Sequence, residues 1–195
     1  ERVYGVFPHL RGKKLVLLAP TYRGRKVEDA DYDFDKLDIS GLTERLGEEY
    51  HLITKWHPAL YNNIKRGIVG DPAKGLGDRV TDASGYGDIN DLLTVSDVLV
   101  TDYSSVIFEW ALLDKPVVYF IYDIEQYRDS RGLYFDFEEY VYGRCAYDSG
   151  SMAEAIKAEE PELEKRAAFN QKFMSSCDGN STERVIKWVF EGEDQ

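Results

Sequence analysis

Residues Val98–Phe120 read VLVTDYSSVIFEWALLDKPVVYF. The runs at its two ends, Val98–Asp102 and Pro116–Asp123, are short and dominated by β-branched and aromatic residues, which favours strands. Strands apolar at nearly every position are buried on both faces, as in parallel sheets covered by helices. Between them Ser104–Asp114 spaces its apolar residues as a helix does, for about three turns. Strand, helix and strand in this order make a βαβ unit. Its centre is unusual: Thr101, Asp102, Tyr103, Ser104 and Ser105 place hydroxyls and a carboxylate where an apolar strand meets a helix.

The same alternation extends outward. KLVLLAP (Lys14–Pro20) reads as a first buried strand, followed by a polar loop from Thr21 to about Lys36. Leu37, Ile39, Leu42 and Leu46 approach helical spacing, and YHLITKWHP (Tyr50–Pro58) is a second strand stopped by proline. Gly67–Gly77 reads as a loop, Arg79–Thr81 as a short third strand, and Asp88 as the start of a helix bearing Ile89, Leu92 and Leu93. Downstream of the quoted stretch, Ser151–Glu160, Pro161–Met174 and Ser181–Glu191 read as helices, with Pro161 at a favourable first-turn position. The expected fold is α/β: a Rossmann-like domain with a mostly parallel sheet and helices on both faces, spanning residues 1–195.

The 195 residues carry 24 basic and 36 acidic side chains, a net charge of −12. This balance weighs against nucleic-acid binding, which needs clustered Lys and Arg to neutralise phosphates. The apolar share of 43% suffices for a sizeable core, yet no run is long enough to cross a bilayer. ERVYGVFPHL lacks the charged-then-apolar pattern of a secretion signal, and a chain opening on Glu1 instead of Met is expected to come from a longer parent. Cys145 and Cys177 lie far apart without a CxxC pattern and read as free thiols.

In open α/β sheets, ligands bind beyond the carboxyl ends of the strands. There the sequence gathers Thr21, Tyr22 and Arg23 after the first strand, His57 after the second, TDYSS after the fourth and YDIEQYRDSRG after the fifth. Hydroxyls, a histidine and arginines together suit a phosphate. The first turn of a helix exposes unpaired N–H groups and a positive dipole end, so an anion docks there while small side chains let it approach. A plain helix cap at Asp102 or Ser104 explains the same residues. Glu109, four residues beyond Ser105, shares its helix face and could accept ribose hydroxyls or remain a surface carboxylate. His57 could be structural or functional.

Other patterns carry less. The Asp29–Ala30–Asp31 DxD lies within a run of alternating aspartates and reads as an acidic solvated loop, with no metal expected. Gly75–Leu76–Gly77 neither follows a clear strand nor opens a helix, so it is no dinucleotide fingerprint. No GxxxxGK[ST] loop and no zinc-spaced Cys/His cluster exists, and no cofactor is expected.

The stretch Asp88–Tyr140 resembles the C-terminal half of the CDP-glycerol glycerophosphotransferases, bacterial enzymes that polymerise teichoic acid. LVLLAPTYRG and KWHP upstream, and DGNSTERVIKWV downstream, resemble further signatures of that family in the same order. The resemblance implies the C-terminal, donor-binding half of a GT-B fold. It implies transfer of glycerol phosphate or ribitol phosphate from a CDP-alditol to a polyol-phosphate chain, with release of CMP. The acceptor would be lipid-linked, at the inner face of the cell membrane, and held by an N-terminal domain absent from this chain together with the general base that the resemblance implies, the His of WHG-x-P-x-K. An isolated chain would then bind donor without turnover.

By the same resemblance, Thr101, Ser104, Ser105, Arg23, Ser181 and Thr182 hold the donor pyrophosphate, and His57 is the catalytic histidine that binds phosphate and stabilises departing CMP. Glu109 takes the ribose, while Thr21, Arg131, Gly132, Asp178 and Gly179 stand near the donor. The chain departs from the family in reading VYGRC (Val141–Cys145) where PGP is frequent. Half of a UDP-sugar GT-B glycosyltransferase or epimerase, or a non-catalytic nucleotide-binding module, remain alternatives.

Overall fold

The computed structural model describes residues 1–139 and 141–192; Tyr140, which ends the acidic DFEEY stretch, and the last three residues lie outside this set. Its centre is a six-stranded sheet of β1 (Lys14–Leu18), β2 (Tyr50–Thr54), β3 (Val80–Asp82), β4 (Val98–Thr101), β5 (Val117–Phe120) and β6 (Arg144–Ala146). The strand order is β3-β2-β1-β4-β5-β6 and every pairing is parallel. The chain thus winds outward from β1 to β3, returns past β1 to β4, and winds outward again on the other side. The reversal lies between β1 and β4, which opens a crevice at the carboxyl ends of these two strands.

Helices cover both faces: α1 (Arg2–Val6), α2 (Ile39–Leu46), α3 (Pro58–Lys65), α4 (Ile89–Val95), α5 (Val106–Trp110), α6 (Ile124–Arg131), α7 (Ser149–Ala158), α8 (Leu163–Phe173) and α9 (Ser181–Ile186). Alternate strand residues serve opposite cores. Val16, Leu18, Leu52, Val98, Val100, Val118 and Phe120 pack with residues of α2, α3 and α7. Leu15, Leu17, Ile53, Leu99, Val117 and Tyr119 pack with α4, α5 and α8. This two-sided burial is why the strands are apolar at nearly every position.

Three local features depart from the expectation. The helix after β4 is five residues long, Val106–Trp110, and not three turns. Beyond it the chain loops back: the buried guanidinium of Arg166 on α8 takes the carbonyls of Leu113, Lys115 and Pro161, and Trp110 Nε1 donates to the Lys115 and Pro116 carbonyls at 3.2 and 3.0 Å. Those bonds replace the i→i+4 ladder that would have continued the helix. Secondly, α3 and α6 form in stretches assigned no helix, α3 starting on Pro58 directly after His57. Thirdly, VYGRC leads into a sixth strand. A Cβ on Gly143 would sit 2.1 Å from the Val117 carbonyl oxygen, so only glycine allows this edge strand so close to β5. No disulfide joins Cys145 and Cys177.

Candidate functional site

At the crevice between β1 and β4 the two strand-end loops are tied together through Asp102. Its Oδ1 accepts from the Thr21 N–H at 2.8 Å, the Thr21 hydroxyl at 3.0 Å and the Tyr103 N–H at 2.7 Å. Its Oδ2 accepts from Arg23 Nη1 at 2.9 Å. Arg23 also forks onto Asp123, beyond β5, through Nε at 2.6 Å and Nη2 at 2.9 Å, and Nη1 reaches the Thr21 carbonyl and hydroxyl. Four tyrosine rings, of Tyr32, Tyr103, Tyr122 and Tyr127, surround the guanidinium at 5.0 to 5.8 Å. One arginine therefore clamps the ends of three strands.

Asp102 is fully buried, and burial pushes its carboxyl above its ordinary value; Arg23 and the Thr21 donors oppose that push. Burial likewise works against the charge of Arg23, but the Asp123 bonds and the field of Asp102 outweigh it and hold the guanidinium above its ordinary value. Charges withdrawn from water in this way persist only as a pair.

The hydroxyl cluster divides. Thr101 is buried and its hydroxyl donates to the Ala19 carbonyl at 2.8 Å, stitching β4 to the end of β1. Ser105 occupies the N-cap of α5 but makes no side-chain capping bond, and Ser104 Oγ accepts from the Val106 N–H only at 3.4 Å. The cap reading is weak here, since a capping hydroxyl normally lies near 3 Å from its donor. The hydroxyls of Ser104 and Ser105 sit at a surface they do little to stabilise. Glu109, one turn on, is exposed and pairs with no cation among the described residues.

His57 is the N-cap of α3, and its Nδ1 accepts from the Ala59 N–H at 3.2 Å. Its ring packs on Tyr22 with centroids 4.7 Å apart. Although the residue is exposed at the surface, partial desolvation of its ring, and secondarily the charge of Arg131, hold its pKa below the ordinary histidine value. Arg131 ends α6, where Gly132 at φ +75° stops the helix. The Arg131 guanidinium lies 4.9 Å from the centre of the same Tyr22 ring and pairs with no carboxylate among the described residues. His57 and Arg131, far apart in sequence, are thus neighbours of one ring.

Beside this edge opens a cavity of about 1060 Å³, lined among others by Arg23, Asp31, Tyr32, Asp123, Tyr127 and Arg131. The Asp-rich loop that walls it is anchored and not merely solvated. Arg23 and Asp31 exchange backbone hydrogen bonds of 2.7 and 3.0 Å, and Asn63 Nδ2 donates to the Glu28 and Ala30 carbonyls. Gly24, at φ +107°, lets the Asp29 carbonyl approach where a Cβ would be 2.2 Å away. Among the described residues no group of three or more His, Cys, Asp or Glu side chains is placed to hold a metal ion.

The Asp178–Thr182 turn stands by itself. Asp178 accepts from Arg184 Nη1 at 2.7 Å and from the Asn180 N–H at 2.9 Å, Gly179 adopts φ +83°, and the Ser181 hydroxyl reaches the Ser176 carbonyl at 3.4 Å. The turn is exposed throughout, and among the described residues no hydrogen bond or ion pair joins it to the strand-end loops. The structure bonds Thr21 and Arg23 to Asp102, which Thr101, Ser104 and Ser105 flank in the chain, and brings His57 with Arg131 around Tyr22. It gives parts to Asp123 and Tyr22, which sequence reasoning placed at the strand ends without assigning them a role. Asp123 was discoverable as the acidic residue just beyond the fifth strand; Tyr22 had no signal beyond its position.

The sequence pattern of the CDP-glycerol:poly(glycerophosphate) glycerophosphotransferase family matches residues 1–191. The chain is 39% identical over 189 residues to a teichoic acid poly(ribitol-phosphate) polymerase of Bacillus spizizenii, covering 97% of this chain and 30% of that protein. It is 38% identical over 190 residues to a teichoic acid poly(glycerol phosphate) polymerase of Bacillus subtilis, covering 94% of this chain and 24% of that one. A solved structure of the wall teichoic acid polymerase TagF, a variant soaked with CDPG, superposes with a TM-score of 0.73 at 28% identity, over 96% of this chain and 45% of that one. The chain therefore spans less than half the length of each.

Proposed function

Because this chain belongs to the CDP-glycerol:poly(glycerophosphate) glycerophosphotransferase family, we propose that it is the donor-binding half of a transferase. The transferase moves glycerol phosphate, or ribitol phosphate, from a CDP-alditol to a polyol-phosphate chain and releases CMP. The observation that supports this most is the pair His57 and Arg131. They offer an N–H donor and a cation that no carboxylate among the described residues compensates, beside the crevice where such sheets take ligands.

The donor pyrophosphate lies between that pair and the hydroxyls of Ser104 and Ser105. Because Nδ1 of His57 accepts the Ala59 N–H, the neutral ring carries its proton on Nε2, which donates to a phosphate oxygen. Arg131 supplies positive charge as negative charge moves onto the leaving CMP. Glu109 accepts the ribose hydroxyls. Arg23, Thr21 and Thr101 act beneath the ligand: Arg23 is committed to Asp102 and Asp123, so it holds the loops that carry the donors. Gly132 ends α6 so that Arg131 stands at its tip. Asp178, Gly179, Ser181 and Thr182 form a separate turn without a role in holding the pyrophosphate in this chain.

In the transfer, the terminal hydroxyl oxygen of the acceptor bonds to the β-phosphorus while the bond to the α-phosphate oxygen of CMP breaks. The proton of the attacking hydroxyl goes to a base outside this set, since the one free imidazole nitrogen position of His57 is a donor. The longer relatives have room for such a base, and for an acceptor site, in the portion that this chain does not match. Among the described residues no helix is long and apolar enough to cross a membrane. Contact with a lipid-linked acceptor at the membrane face belongs, in this reading, to that other portion.

Calorimetric titration of the chain with CDP-glycerol, CDP-ribitol, CMP and a UDP-sugar tests the reading. Binding of the cytidine ligands, with none of the UDP-sugar, is the expected result. Preference for the UDP-sugar, or silence toward every cytidine ligand, would sink it.

A further inference from the structure

Resting on the reading of His57 and Arg131 as phosphate donors, we propose that Tyr22 is a positioning residue of that site. Its ring holds the imidazole and the guanidinium, which come from two different loops, as one preorganised pair.

Three observations carry this. First, His57 has little else to fix it. It is exposed, and its link to the fold is the Nδ1 bond from Ala59, at 3.2 Å a long one. The Tyr22 ring, inclined at 40° with centroids 4.7 Å apart, is the wall that stops the imidazole turning away from that bond. Second, Arg131 is also exposed, and its charge is matched by no carboxylate among the described residues. A long flexible side chain loses rotamer entropy when it is immobilised. A guanidinium resting 4.9 Å from a tyrosine ring has been partly immobilised before any ligand arrives, and its N–H edge stays open to a phosphate. Third, Tyr22 is itself held. Its neighbours in the chain are Thr21, bound through N–H and hydroxyl to Asp102, and Arg23, forked onto Asp123. The ring is thus mounted on the clamped loop, and the rigidity of the buried ion network reaches the two exposed donors through it. Ligand donors ordered in advance cost less on binding than donors that must be caught.

The contact is made by the ring, not by the hydroxyl, so Tyr22→Phe and Tyr22→Ala separate the idea from a hydrogen-bonding role. Titrating each variant with CDP-glycerol should show about a 10-fold loss of affinity for Tyr22→Ala and a change within about twofold for Tyr22→Phe. The imidazole nitrogen shifts of His57, read by NMR without ligand, should show a single Nε2–H tautomer in the wild type and in Tyr22→Phe, and a tautomer mixture in Tyr22→Ala. Unfolding curves of the same samples establish that both variants are folded. Wild-type affinity in Tyr22→Ala, or an unchanged single tautomer, overturns the proposal, and so does a full loss in Tyr22→Phe. If the wild type takes no CDP-glycerol, the donor reading fails, while the tautomer comparison still decides whether Tyr22 orders His57.

Discussion

Arg23 and Arg131 stand at the same edge of the sheet, and each lies against tyrosine, yet their surroundings differ in every other respect. Arg23 is mostly buried, its side chain 17% exposed, enclosed by four rings, and bonded to Asp102, Asp123 and Thr21. Arg131 is exposed, has a single tyrosine against it, and pairs with no carboxylate among the described residues. A buried cation with matched carboxylates is spent on structure, because breaking any of its bonds strands a charge away from water. An exposed cation with none can meet a phosphate at little cost. In the proposed reading Arg23 is thus the support of the donor site and Arg131 its contact.

The contrast can be broken by mutation, and the largest effect belongs to Arg23. Arg23→Ala leaves the Asp102 carboxylate buried without its cation and should destabilise the chain by about 3–5 kcal/mol in urea unfolding. Adding Asp102→Asn to that variant should recover part of the loss, because a neutral amide needs no counter-charge; no recovery would show that the charge was not the cause. Next comes Arg131→Ala, for which calorimetry should show CDP-glycerol binding weakened about 10- to 100-fold, the worth of a charge-assisted hydrogen bond. The same variant should unfold within about 0.5 kcal/mol of wild type. A large stability loss there would erase the distinction between the two arginines.

Smaller effects sharpen the picture around the hydroxyls. Ser104→Ala and Ser105→Ala should each weaken donor binding about fivefold, the worth of a neutral hydrogen bond. Neither should show the loss of about 1 kcal/mol that follows removal of a working helix cap. A stability loss without an affinity loss would return both serines to capping. The smallest effect is expected at the exposed turn, where Thr182→Ala should leave affinity within about twofold, the scale of an ordinary surface substitution. A larger drop would bring that turn back into the donor site.

Much of this arrangement was legible in the chain because it follows from local chemistry. Continuous apolar runs at Lys14–Leu18, Val98–Thr101 and Val117–Phe120 can be satisfied only between two helical layers, and the sheet is built so. The segments that escaped are those whose local signal is weak. Strand β6 is three residues at an edge, allowed by Gly143 packing on Val117, and α6 has no buried residue to give it a periodic stripe. The shortness of α5 was hidden because its stop comes from Arg166, more than fifty positions away.

By itself the amino-acid sequence determined the class of fold, the edge of the sheet where a ligand would sit and the residue types collected there, since burial pattern and strand-end position are local properties. Which of those residues are paired with one another and which stay open to solvent was decided by tertiary structure alone. Charge pairing is a matter of distance: Arg23 meets Asp102 and Asp123, some eighty and one hundred positions along the chain, only once the sheet has formed. Among the described residues Arg131 is left without a carboxylate by that same folding, and it comes to rest, with His57, against the Tyr22 ring.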